Sequence, residues 1–175
     1  LQQRFAPEIT AWQALHGAAP AYTLAGEGYR EQVHFDTAGG VYYYESNGRT
    51  APAIKHRHAD GRIETLAETR ALQQFDVHPQ QGILMSGLRI CNNTEAHADL
   101  YRLRDGDWQA ITNCGRYIGG YWSPTGDRIA AVAVEAGQHR LELLDANGKR
   151  LQVLYEAPLG ETLGAIAWHP QGNEL

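Results

Sequence analysis

Only two cysteines, Cys91 and Cys114, occur in 175 residues, too few for a disulfide scaffold. No stretch approaches the roughly 18–20 apolar residues of a membrane-spanning helix. Basic residues are in the minority, 15 Lys and Arg against 20 Asp and Glu, so the net charge of -5 lacks the basic footprint that nucleic-acid binding requires. The serine elbow Gly-x-Ser-x-Gly, the zinc motif His-Glu-x-x-His and the calcium-loop pattern are all missing. So is a start methionine or a charged-then-apolar leader, and the chain reads as a mature or trimmed piece of something longer. What is plentiful is glycine (19) and tyrosine (9), with four tryptophans and a single methionine. Glycine turns between short aromatic and β-branched runs are the material of an all-β domain.

Overlaying the chain on itself exposes a repeat. Val77-His78-Pro79-Gln80-Gln81-Gly82, Trp122-Ser123-Pro124-Thr125-Gly126 and Trp168-His169-Pro170-Gln171-Gly172 are versions of one phrase, and Phe35-Asp36-Thr37-Ala38-Gly39 is a degenerate copy. Their glycines lie 43, 44 and 46 residues apart. A period of about 40–50 residues with several strand-length runs indicates propeller blades. Each period holds a bulky anchor, a Pro/Gly turn, an apolar second strand, a third strand and a fourth. The third and fourth are separated by Asp60-Gly61, Asp105-Gly106 or Asn147-Gly148, which favour the positive φ of two-residue hairpins. Leu24, Leu66 and Ile111 each precede the next anchor by 11 residues, an independent spacing in the same register, while Leu154 precedes Trp168 by 14.

The expectation is an all-β chain of three four-stranded β-propeller blades at about 29–68, 72–114 and 117–156. Partial blades flank them, an outer strand at Ala21 to Leu24 and the start of a further blade at 163–175. Closed propellers use four to eight blades, so the missing ones are expected from the rest of the chain or from a second copy. Residues 1–20 differ. Ile9, Trp12 and Leu15 form one stripe over Pro7 to Leu15, predicting a short N-terminal helix that caps the repeats or ends an upstream domain.

Trp122-Ser123-Pro124-Thr125-Gly126-Asp127-Arg128-Ile129-Ala130, followed by Leu141-Glu142-Leu143-Leu144-Asp145, resembles the Trp-Ser-Pro-Asp-Gly repeat of the Tol-system (TolB-like) propeller family. The resemblance implies a periplasmic or cell-envelope protein that binds partners through its central funnel and rim loops. Similar repeats occur in propellers of prolyl-oligopeptidase-like peptidases, and behind zinc-peptidase-like domains.

Several residues are candidates for chemistry. Ser123 replaces a histidine of the other turns and lacks an elbow, so it is read as a turn residue. His56 and His58 share one strand face without a third ligand, and no metal or cofactor is implied. His78, His97, His139 and His169 are expected in solvent-facing turns and loops. Cys91 ends a second strand and Cys114 follows the fourth strand of the same blade, so the pair is either a disulfide, expected if the chain is exported, or two buried thiols. Arg30, Arg70 and Arg116 fall 6, 4 and 5 residues after their strand anchors, in the loops Glu27 to Gln32, Thr69 to Gln74 and Gly115 to Gly120. Together with Tyr117 they would make a positive arc round one mouth of the channel, suited to an acidic segment. The function expected is a non-catalytic module that binds a protein or peptide. The alternative is an accessory propeller of a larger peptidase or hydrolase whose catalytic domain lies outside this chain.

Overall fold

The computed structural model describes residues 28–69, 71–164, 166–172 and 174–175. These form twelve strands and, among the described residues, no helix. The first sheet holds β1 (Tyr29–Phe35), β2 (Val41–Ser46), β3 (Ala53–Arg57) and β4 (Ile63–Glu68). The second holds β5 (Leu72–His78), β6 (Gly82–Cys91), β7 (Glu95–Arg104) and β8 (Asp107–Ala110). The third holds β9 (Tyr117–Trp122), β10 (Arg128–Glu135), β11 (Gln138–Asp145) and β12 (Arg150–Glu156). Each is an antiparallel meander in chain order. The helix expected at Pro7 to Leu15, the strand at Ala21 to Leu24, and Arg70 lie outside the described residues.

The cores lie between sheets. Ile54 of the first sheet meets Phe75, Ile83 and Met85 of the second, with Tyr42, Tyr44 and Trp108 packed around them. Leu84 and Leu100 of the second meet Tyr117, Trp122, Ile129 and Leu144 of the third. The side-chain period of two makes this possible, because each sheet offers an apolar set on both faces. In the run Tyr42-Tyr43-Tyr44 the middle ring turns away from its neighbours and is buried with Val41 and Glu45. Burying each large apolar side chain stabilises by about 1.5–3 kcal/mol. Polar bonds add register. Gln32 accepts from the Phe75 amide (2.8 Å), and Gln74, its counterpart one repeat later, accepts from the Gly120 amide (2.9 Å). Beside it, Asp76 accepts from the Trp122 amide at 2.7 Å.

The repeat turns have side-chain anchors. Asp36 accepts from the amides of Ala38 and Gly40. His78 performs the same task with a ring nitrogen: Nδ1 accepts from the Gln80 and Gln81 amides, and Nε2 donates to the Pro124 carbonyl of the next blade (3.1 Å). It is therefore buried, contrary to the solvent-facing position expected, because it crosses the seam between blades. His139 also departs from expectation. It sits within β11, and its Nδ1 accepts from the Leu163 amide.

Only one of the three Asx-Gly sites is a two-residue hairpin. Asp105 and Gly106 both have positive φ (53° and 87°) between the paired Arg104 and Asp107. At the others, His58 bonds Arg62 and Asp145 bonds Lys149 across three residues ending in a left-handed glycine, Gly61 or Gly148. Asp145 favours the wider loop by accepting from the Asn147 and Lys149 amides.

After β12 the chain returns along the third blade, and the Trp168 indole donates to the Tyr121 carbonyl (3.0 Å). His169 to Gly172 repeats the His78 turn, with Nδ1 accepting from the Gln171 amide. Among the described residues no strand follows β12.

Gly148 has φ of 85°, and a Cβ there would overlap the Ile111 carbonyl oxygen of the second blade. Gly137 has φ of 80° in open space. Gly137→Ala is expected to cost about 1–2 kcal/mol from backbone strain alone. Gly148→Ala adds an overlap worth about 1–3 kcal/mol more. Urea denaturation of the two variants measures the difference.

Candidate functional site

The second blade departs from the other two where its outer strand should complete the sheet. β8 has four residues, against six in β4 and seven in β12. It pairs β7 only from Tyr101 to Arg104, and the chain then turns inward. Asp99 causes the turn. Its buried carboxylate accepts from the Thr112 hydroxyl (2.6 Å), the Cys114 amide (2.6 Å) and the Gly115 amide (2.9 Å). Thr112 in turn accepts from the Leu100 amide. Cys114 and Arg116 take positive φ (55° and 60°) in the connection so gathered.

The same connection is bonded covalently. Cys91, the last residue of β6, and Cys114 form a disulfide, with Cα atoms 6.1 Å apart. On a chain-entropy account a bridge across 23 residues stabilises by roughly 3 kcal/mol. It also ties down the tip end of a long hairpin, since Cys91 pairs Glu95 directly before the turn. β6 and β7 each run ten residues, against six and five for β2 and β3. Asn92 and Asn93 turn the tip with positive φ, which asparagine tolerates. Near that tip Leu88 is 47% exposed and Ile90 68%.

Where β8 stops short, a cleft of about 730 Å³ opens between the second and third blades. One wall is Arg89 and the connection Ile111 to Asn113; the other is the β11–β12 turn with Lys149 and Arg150. The lining holds three cations and no carboxylate. Arg89 donates to the Thr112 carbonyl (3.3 Å) and lies 3.8 Å from Asp99. Arg150 lies 3.4 Å from Glu142, a buried carboxylate that also accepts from the Tyr117 hydroxyl at 2.9 Å. Burial, and then Glu142, push the Tyr117 phenol well above its ordinary value. Tyr117 therefore stays a neutral donor to the acid that holds Arg150.

The arginine arc is not assembled by the two members described. Arg30 lies on β1 rather than in a loop, and it pairs with Glu45 at 2.8 Å. Lys55 bonds the other oxygen of that carboxylate. Arg116 does occupy a connection, 3.7 Å from Glu95. Tyr117 is the first residue of β9 and is buried in the seam rather than set on the rim. An offset counted from a strand anchor does not show where a strand starts, which is why Arg30 and Tyr117 were misplaced.

His56 stacks on Tyr42 and bonds Asp36, while His58 bonds Glu64. Among the described residues no three His, Cys, Asp or Glu side chains gather as metal ligands. The Ser123 hydroxyl donates to Asp127 and accepts from the Arg128 amide, closing its turn. The nearby His78 has both ring nitrogens engaged elsewhere.

No protein-family profile matches the chain, and no curated protein does. Solved structures do match. A protein assigned as TolB from Agrobacterium tumefaciens aligns with a TM-score of 0.52 at 16% identity, over 73% of this chain and 49% of that one. A gluconolactonase from Xanthomonas campestris aligns with a TM-score of 0.52 at 12% identity, over 77% and 49%. The fold is that of a β-propeller. This chain spans about half the length of either structure. At these identities the likeness speaks to the propeller architecture alone, and function depends on sites grafted onto it.

The cleft residues Arg89, Lys149 and Arg150 were not singled out from sequence. The adjacent pair Lys149-Arg150 directly after an Asn-Gly turn, in an acidic chain, was the available signal.

Asp99→Ala leaves two part-buried amides and a hydroxyl without their acceptor. It is expected to cost roughly 2–4 kcal/mol in urea denaturation and to speed hydrogen exchange at Cys114 and Gly115.

The hydrogen bond from Lys55, then that from Arg30, holds the Glu45 carboxyl below its ordinary 4.5. A depressed folded value means that the stabilisation is complete above pH 4.5 and is lost as pH falls through the folded value. Glu45→Gln should therefore shrink the difference between denaturation midpoints at pH 7 and pH 3.

Proposed function

We propose that this chain is a non-catalytic propeller module of the bacterial cell envelope that recognises a protein or peptide with its loop face. The observation that carries the reading is the stapled β6–β7 hairpin. It is longer than the corresponding hairpin of the first blade, is held near its tip by Cys91–Cys114, and presents Leu88 and Ile90 to solvent. Exposed aliphatic side chains on a rigid, pre-organised element suit recognition, because little conformational entropy is lost on binding. Arg116, beside the disulfide, adds a polar rim on the same connection. Disulfides persist in oxidising compartments, which supports an exported protein.

A second reading is that the chain is the accessory propeller of a larger hydrolase, a gluconolactonase being among the proteins that share its fold. Selection of random peptides on the immobilised chain, with assays for lactone, ester and peptide hydrolysis on the full-length parent protein, separates the two. The binding reading expects selected peptides that saturate, no turnover, and at least tenfold weaker binding to the Leu88→Ser, Ile90→Ser variant, about 1.4 kcal/mol or more. Both positions are exposed, so the melting temperature should hold. Turnover, or no selected peptide at all, would sink it.

A further inference from the structure

We propose that the cleft between the second and third blades binds an acidic segment of the partner protein, with partner carboxylates on Arg89, Lys149 and Arg150. The inference rests on the peptide-binding reading and names the chemistry of what is recognised.

Charge is the first argument. The protein carries -5 overall, yet this cleft is lined by three cations without a carboxylate. The acids that belong to it stand behind the cations. Asp99 is spent on the connection, and Glu142 is buried beneath Tyr117 and Arg150. Each acid orients an arginine from within while the guanidinium reaches the cleft, a supported arrangement for accepting a second, external carboxylate. Lys149 takes part in no ion pair among the described residues and is exposed. Its side chain is the cation most available to an incoming anion.

Construction is the second argument. The cleft exists because Asp99 and Cys114 draw the chain away after four residues of β8, and because Gly148 lets the facing turn sit against the Ile111 carbonyl. Both walls are therefore braced: one by the disulfide and the Asp99 bonds, the other by Asp145, which accepts from the Asn147 and Lys149 amides. The cleft, about 730 Å³, is widely open to solvent, which suits an extended segment lying across it rather than an enclosed small molecule. The guanidinium groups can address carboxylates in pairs, which a lysine-only surface cannot.

The test is fluorescence anisotropy with fluorescein-labelled hexaglutamate, and with hexalysine and hexaserine as controls. Hexaglutamate alone should bind, and more weakly as salt rises. Lys149→Glu should weaken it on the order of tenfold or more, since a like charge then meets the ligand. That substitution keeps the backbone amide on Asp145, and the melting temperature reports that the fold is intact. Arg89→Lys keeps the charge but loses the fork, and a several-fold loss is expected. Equal binding by Lys149→Glu, or binding of hexalysine, overturns the proposal. Tighter binding of inorganic tripolyphosphate than of hexaglutamate, with displacement of the peptide, also overturns it, because the occupant would then be a phosphate. If selected peptides depend on Leu88 and Ile90 but ignore Lys149→Glu, the cleft inference fails and the binding reading stands. If no peptide is selected, the binding reading itself fails.

Discussion

Each sheet has apolar residues on both faces, so none can be stable by itself in water, and the structure follows from stacking. The four-residue core Ile54, Phe75, Ile83, Met85 belongs to two sheets, as does the cluster joining Leu84 and Leu100 to Trp122 and Ile129. Hydrophobic burial brings the sheets together but is not directional. Register comes from polar bonds that cross the seams: Gln32 to Phe75, Gln74 to Gly120, Asp76 to Trp122, and His78 to Pro124. The glutamines repeat at equivalent places in successive blades, and in the third blade the place is taken by Gly119. The third blade instead receives the Trp168 indole on the Tyr121 carbonyl.

Within that stack, one buried carboxylate shapes what is special about the second blade. Asp99 collects a hydroxyl and two amides, which ends β8 early and brings Cys114 to Cys91. The long hairpin with Leu88 and Ile90 and the basic cleft beside it are two consequences of that local choice. Even shortened, β8 keeps its inter-blade contact, for Trp108 packs against the first seam and its indole donates to the Glu68 carbonyl of the first blade. Placing function at an irregular outer strand therefore leaves the core undisturbed.

Much of the fold was legible in the chain. The recurring Pro/Gly turns and the 11-residue spacing mark blades because every blade must solve the same packing problem with the same kinds of residue. Placing Cys91 and Cys114 at one edge of one blade left a disulfide and two buried thiols both open, and the structure forms the disulfide. Side-chain roles were harder to read. Arg30 was expected at the rim and is instead locked to Glu45 on the sheet, and Tyr117 was expected beside it and lies buried on Glu142. Two Asx-Gly sites of three made wider loops than expected, because Asp60 and Asp145 also cap backbone amides.

The sequence by itself determined the all-β class, the blade period and the strand order within each blade. These depend on local periodicity and turn chemistry, which are written in consecutive residues. Only the tertiary structure decided which charges are spent and which are offered. Arg30 and Arg150 are both arginines facing a glutamate, yet one is enclosed with Lys55 and the other lines a cleft. That difference arises from where β8 stops and what the next blade brings alongside, a matter of residues far apart in the chain meeting across a seam.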